Sequence, residues 1–96
     1  MAIGVIATLT IQEGKNAAFE SAFLALAEQV RRNEPGNIFY ILHRSTSNPQ
    51  VYKVLEQYHS AEDLAAHGKT THFVEANKVL APLVSAAPHV EVLDTV

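Results

Sequence analysis

From Ile3 to Ile11 an apolar side chain stands at every second position, Ile3, Val5, Ala7, Leu9 and Ile11, which is the period of a strand with one face turned inward. Gln12-Glu13-Gly14-Lys15 turns the chain, and the period then changes. Phe19, Ala22, Phe23, Leu26, Ala27 and Val30 recur three and four apart, the stripe of an amphipathic helix. Glu34-Pro35-Gly36 stops that helix, because proline disfavours helical geometry in the residue before it. The run Ile38-Phe39-Tyr40-Ile41-Leu42, β-branched and aromatic, predicts a second strand. Ser47-Asn48-Pro49 is a turn cluster, so Val51 to Tyr58 is expected to return as the other arm of a hairpin. Ser60, three residues before Asp63, resembles a capping box and opens a short helix through His67. Gly68-Lys69-Thr70-Thr71 interrupts it. A last helix carries Phe73, Ala76, Leu80 and Leu83 on one side, with Pro82 in its final turns. After Pro88, His89 to Thr95 closes the chain as a strand.

The order β-α-β-β-α-β predicts an α+β domain with a four-stranded antiparallel sheet, the split βαβ of ferredoxin-like folds, as one unit over residues 1–96. Helices in such a fold cover one sheet face, so the other should read polar. It does not. Ile38, Tyr40 and Leu42 lie on one side of the second strand and Phe39 and Ile41 on the other; Val51 and Leu55 oppose Tyr52 and Val54. A second copy packing sheet against sheet is the simplest cover, and a homodimer is expected.

Composition agrees with one small globular domain: 96 residues, 48% apolar. The absence of cysteine removes disulfides and thiolate metal sites, leaving oligomerisation as the further source of buried surface. Seven Lys+Arg against ten Asp+Glu give a net charge of −3. The one adjacent basic pair, Arg31-Arg32, follows Glu28 at helical spacing and reads as a solvated helix face, so a nucleic-acid partner is not expected. No apolar run approaches the ~18 residues of a membrane span. The opening Met1-Ala2-Ile3-Gly4-Val5 lacks the basic region of a signal peptide, and a cytoplasmic protein is expected.

Four residues carry most of the candidate chemistry. Glu56 and Tyr58 share a strand face with Tyr52 and Val54. If that face lies under the helices, a carboxylate and a phenol sit in an apolar cavity, and desolvation makes Glu56 a base or proton holder; otherwise Glu56 is an edge residue paired with a lysine. His67 falls three residues after Leu64, on the inward side of its helix, either as a base or as a core histidine. His72 follows five residues later, which in an unbroken helix sets the two rings about 140° apart and makes no chelating pair. The break at Gly68 leaves open which ring faces the cavity. No third ligand is evident, so no metal site is expected. His43, His59 and His89 read as strand-end or surface residues. There is no phosphate-cradling glycine loop, no dinucleotide fingerprint and no nucleophile elbow.

Asn33-Glu34-Pro35-Gly36-Asn37, Glu56-x-Tyr58, Ala66-His67 and Thr71-His72-Phe73 together resemble the antibiotic biosynthesis monooxygenase family, over nearly the whole chain. The resemblance implies a dimeric α/β barrel whose two sheets face each other, with a pocket in each subunit between sheet and helices. Some members oxidise dihydroxyarenes or quinols with dioxygen and no cofactor. It therefore implies a cofactor-independent monooxygenase acting on a small aromatic or quinol. Carried over to this chain, His67 and Glu56 manage protons and Tyr58 orients the substrate through its hydroxyl. Phe23, Phe39, Ile41 and Phe73 supply the walls, and His72 contacts the substrate. The haem-degrading members use a tryptophan near Tyr58 and a histidine near Asn77; this chain has neither, which disfavours haem chemistry. Another branch isomerises a phosphorylated sugar, and its histidine spacing is similar to that of His67 and His72. Here Lys69 and Arg44 are the cations available to a phosphate. A non-catalytic dimer binding a small molecule is the third reading.

Overall fold

A computed structural model describes residues 1–96. Strand β1 (Ile3–Thr10) is followed by α1 (Asn16–Asn33), the hairpin β2 (Asn37–Arg44) and β3 (Val51–Tyr58), α2 (Ala61–His67), α3 (Thr71–Leu80), a single 3-10 turn (Ala81–Leu83) and β4 (His89–Asp94). The strands form one antiparallel sheet in the order β2-β3-β1-β4, the ferredoxin-like α+β arrangement expected from the element order. Pro82 is where the last helix tightens into the 3-10 turn, since proline removes an intrahelical donor.

The helices cover one face of the sheet. The α1 stripe buries Phe19, Phe23, Leu26, Ala27 and Val30 against Tyr40, Tyr52 and Val54 of the hairpin and Leu80 of α3. The rings interlock: Phe19 lies 4.8 Å from Tyr52, and Phe23 stacks on Tyr40 at 5.4 Å. Each such ring is worth about 1.5–3 kcal/mol of burial. Asn16, at the start of α1, donates to the Pro49 carbonyl at 2.8 Å and to the Tyr52 hydroxyl at 3.0 Å, fastening the helix to the hairpin turn.

Alternation decides the other face. Phe39, Ile41, Leu55 and Leu93 point away from the helices and are 38%, 52%, 36% and 42% exposed in the single chain. Ile38 does not follow Tyr40 and Leu42 inward. The β2–β3 register shifts between Asn37 and Phe39, so Ile38 is the extra residue of a bulge and stays exposed.

Two local features place α2. The Ser60 hydroxyl accepts from the Asp63 amide at 3.2 Å and donates to the Asp63 carboxylate at 2.9 Å, a side-chain N-cap in which Asp63 bonds the Ser60 hydroxyl and not its backbone amide. Gly36 runs so close beneath that a Cβ there would lie 2.3–2.6 Å from Asp63 side-chain atoms. The loop after α1 and the start of α2 are thereby held together. No helix is long and apolar enough to cross a membrane.

Candidate active site

Between the covered sheet face and the helices lies a cavity of about 480 Å³, within the size range of small-molecule sites. Val5, Ala7 and Val54 form its floor; Phe23, Leu26 and Phe73 close it from the helices. Against this apolar lining only Tyr40, Glu56, His67 and Asn77 present polar side chains.

Glu56 reaches the cavity because β3 alternates: Tyr52, Val54, Glu56 and Tyr58 are all buried. Tyr58 is wholly buried behind Glu56 and donates its hydroxyl hydrogen to Oε1 at 2.7 Å. Burial pushes the Glu56 carboxyl up to about 7, against the opposing effect of the Tyr58 hydrogen bond and with added repulsion from Glu34. Burial likewise raises both Tyr58 and Tyr40, with the negative charge of Glu56 adding to each. Both phenols stay neutral donors.

His67 closes α2 and is 5% exposed. Its ring sits among Phe73, Tyr40 and Tyr58 at 4.6, 5.2 and 5.4 Å. Nδ1–H donates to Glu34 Oε1 at 2.8 Å, with Oε2 at 3.1 Å. Burial lowers the tendency of the ring to take a proton, while the Glu34 charge and hydrogen bond oppose that. The helix ends here: Thr70 caps α3 by accepting from the Phe73 amide at 3.3 Å and donates back to the His67 carbonyl at 2.9 Å. That break swings His72 round until its Nε2–H donates to Glu34 Oε2. The two histidines, far apart on an unbroken helix, thus meet on one carboxylate.

Of the residues singled out from the sequence, His67, Glu56, Phe23 and Phe73 line the cavity, and Tyr58 stands behind Glu56. His72 is on the far side of Glu34 and does not line the cavity. Phe39 and Ile41 require correction as wall residues: they alternate with Tyr40 and lie on the opposite face of the sheet. Lys69 and Arg44 do not line it either, and Arg44 pairs instead with Glu20 at 3.4 Å. Three residues escape the sequence reading. Tyr40 shares its strand face with Leu42, so alternation signals it. Asn77 lies one turn after Phe73. Glu34 reads as a helix stop and as part of the Asn33–Asn37 motif but not as a site residue, although an acid at the negative end of a helix dipole calls for partners.

A sheet of this order under three helices, with a carboxylic acid and an imidazole facing one apolar cavity, defines a ferredoxin-like domain with two ionisable groups in its pocket. The family model for antibiotic biosynthesis monooxygenases matches residues 2–79, and the chain belongs to that family. A Caulobacter crescentus protein assigned by name to the antibiotic biosynthesis monooxygenases is 47% identical, aligning over 99% of this chain and 90% of its own with a TM-score of 0.97. A Nitrosomonas europaea protein with the same assignment shares the fold at 24% identity and TM-score 0.94, over 98% and 89% of the two chains. A Bacteroides thetaiotaomicron protein of unknown function, described as a possible oxidoreductase, matches at 25% identity and TM-score 0.87, over 96% and 95%. No curated protein matches the chain.

Proposed function

We propose that the protein is a monooxygenase that deprotonates a small hydroxylated aromatic, a quinol, and lets the resulting anion react with dioxygen. The observation that carries this reading is the pairing of His67 with a Glu56 held near neutrality, both facing a cavity of aromatic dimensions. Family membership and the monooxygenase and oxidoreductase names of its relatives support it.

His67 Nε2 takes the proton of a substrate hydroxyl. The phenolate passes an electron to dioxygen, and the radical pair joins at the electron-rich ring carbon, forming a C–O bond. The distal oxygen then takes one proton from Glu56 and the O–O bond breaks as the ring hydrogen of that carbon leaves as a proton, which restores Glu56; the released oxygen takes its second proton from His67 and departs as water. One oxygen atom stays in the product as a carbonyl and the other becomes water; the quinol supplies all four electrons. The protein contributes proton transfer, exclusion of water and a fixed orientation. Tyr58 holds Glu56 in place, and Tyr40 and Asn77 are the donors left for substrate oxygens.

The absence of lysine and arginine from the lining argues against the alternative of a phosphorylated sugar, whose charge needs cations. The outward face bearing Phe39, Ile41, Leu55 and Leu93 is proposed to pack on a second copy, giving a homodimer with one cavity per subunit. Oxygen-electrode traces with a panel of hydroquinones, without added metal or flavin, test the activity. Uptake that depends on both enzyme and quinol is expected; binding of quinols with no uptake would leave a carrier in place of an oxygenase.

A further inference from the structure

We propose that Glu34 is the positioning residue of this site. It holds the His67 ring by Nδ1–H so that Nε2 faces the cavity, and it divides its carboxylate between His67 and His72, making His72 the group that adjusts how readily His67 accepts a proton. The proposal rests on the reading of His67 as the base.

Glu34 occupies an unfavourable place. It caps the C-terminal end of α1 with its side chain 7% exposed, where the helix dipole repels an anion and burial penalises a charge. No lysine or arginine compensates it; its side-chain partners are the two imidazoles. Those imidazoles come from different helices, and the Gly68–Thr70 break is what brings the second one into reach. A neutral residue would cap this helix at lower cost, so the carboxylate is explained by what it does to the rings.

A carboxylate fixes a tautomer. With Nδ1 donating to Glu34, a neutral His67 carries its lone pair on Nε2, which bonds no protein group and belongs to a cavity-lining side chain. The rings of Phe73, Tyr40 and Tyr58 pack around the imidazole at 4.6–5.4 Å. The titratable neighbours facing His67 are Tyr40 from β2, Glu56 and Tyr58 from β3, Glu34 after α1 and His72 from α3. Of these, Glu34 favours the protonated ring and His72 disfavours it. His72, at 16% exposure, is the member of the trio that water can reach. Its Nε2–H draws on the same carboxylate that supports His67, so the two rings compete for one charge.

Ring ¹⁵N–¹H correlation spectra of the full chain test this without any substrate, with His67 assigned by the signal lost in His67→Asn. At pH 8 the wild-type His67 is expected to show a protonated Nδ1 and an unprotonated Nε2. On titration, Glu34→Gln, which keeps the shape and removes the charge, is expected to move the His67 midpoint down, and His72→Gln to move it up. An Nε2–H tautomer in the wild type overturns the proposal, as do two variants that leave the midpoint in place or move it in the same direction. If Glu34→Gln does not fold, the wild-type tautomer and His72→Gln still decide. Quinols that give no oxygen uptake would overturn the oxygenase reading while leaving these midpoints unaffected, so the two failures are separable.

Discussion

Tyr58 donates its hydroxyl hydrogen to Glu56 Oε1 at 2.7 Å from two residues further along the same inward face of β3. The bond favours the ionised carboxylate, yet burial prevails and the acid rises from 4.5 to about 7. Between those values the folded chain keeps a proton that the unfolded chain has released, so this residue makes stability fall as pH rises. At about 1.4 kcal/mol per pH unit the cost reaches about 3 kcal/mol by pH 8. Glu56→Gln is therefore expected to flatten the decline: urea unfolding at pH 5 and pH 8 should differ less in the variant than in the wild type. Equal declines in the two proteins would show that Glu56 ionises freely in the folded state.

His67→Ala is expected to lower quinol turnover by at least about tenfold, because a positioned base contributes roughly 10²–10⁴-fold. Tyr58→Phe removes a hydrogen bond one step behind the acid and should do less. Turnover and melting temperature measured together separate catalysis from packing. Full activity with a lowered melting point would make His67 a core residue.

Much of the fold is legible in the sequence because its signals are local. The β1 alternation and the α1 stripe at Phe19, Phe23, Leu26 and Val30 each need only neighbouring residues, and Glu56 and Tyr58 follow from the alternation of one strand. The misplacement of Phe39 and Ile41 has a plain cause: side-chain type suggests a wall, but alternation with Tyr40 sends them outward. Glu34 is different in kind. It meets His67 and His72 across 33 and 38 residues, through a helix break whose angle depends on how α3 packs, and no local pattern encodes that.

Gly36→Ala is expected to destabilise the chain by about 1–3 kcal/mol, the usual penalty of inserting an atom into packed structure. The added carbon would meet the Asp63 Cβ as well as its carboxyl, so Asp63→Ala in the same chain should not restore stability. Chemical denaturation of the single and double variants checks this, and full recovery in the double variant would mean that the carboxyl alone was in the way.

Ile41 and Leu55 are paired in register on the outward face. Placing a charge there, as in Ile41→Asp, is expected to convert a dimer into a 10.5 kDa monomer in sedimentation velocity at micromolar concentration. A wild-type chain that already sediments as a monomer would contradict the proposed sheet-to-sheet packing.

Isotope labelling tests the oxygenase reading most directly. A quinol that the wild type consumes is converted under ¹⁸O₂ and the product is weighed by mass spectrometry as soon as it forms. One ¹⁸O atom in the hydroxyquinone and one in water is the expected result, with incorporation lost in His67→Ala and reduced in Glu56→Gln. A product free of label, or oxygen reduced entirely to peroxide, would contradict oxygen transfer within this cavity.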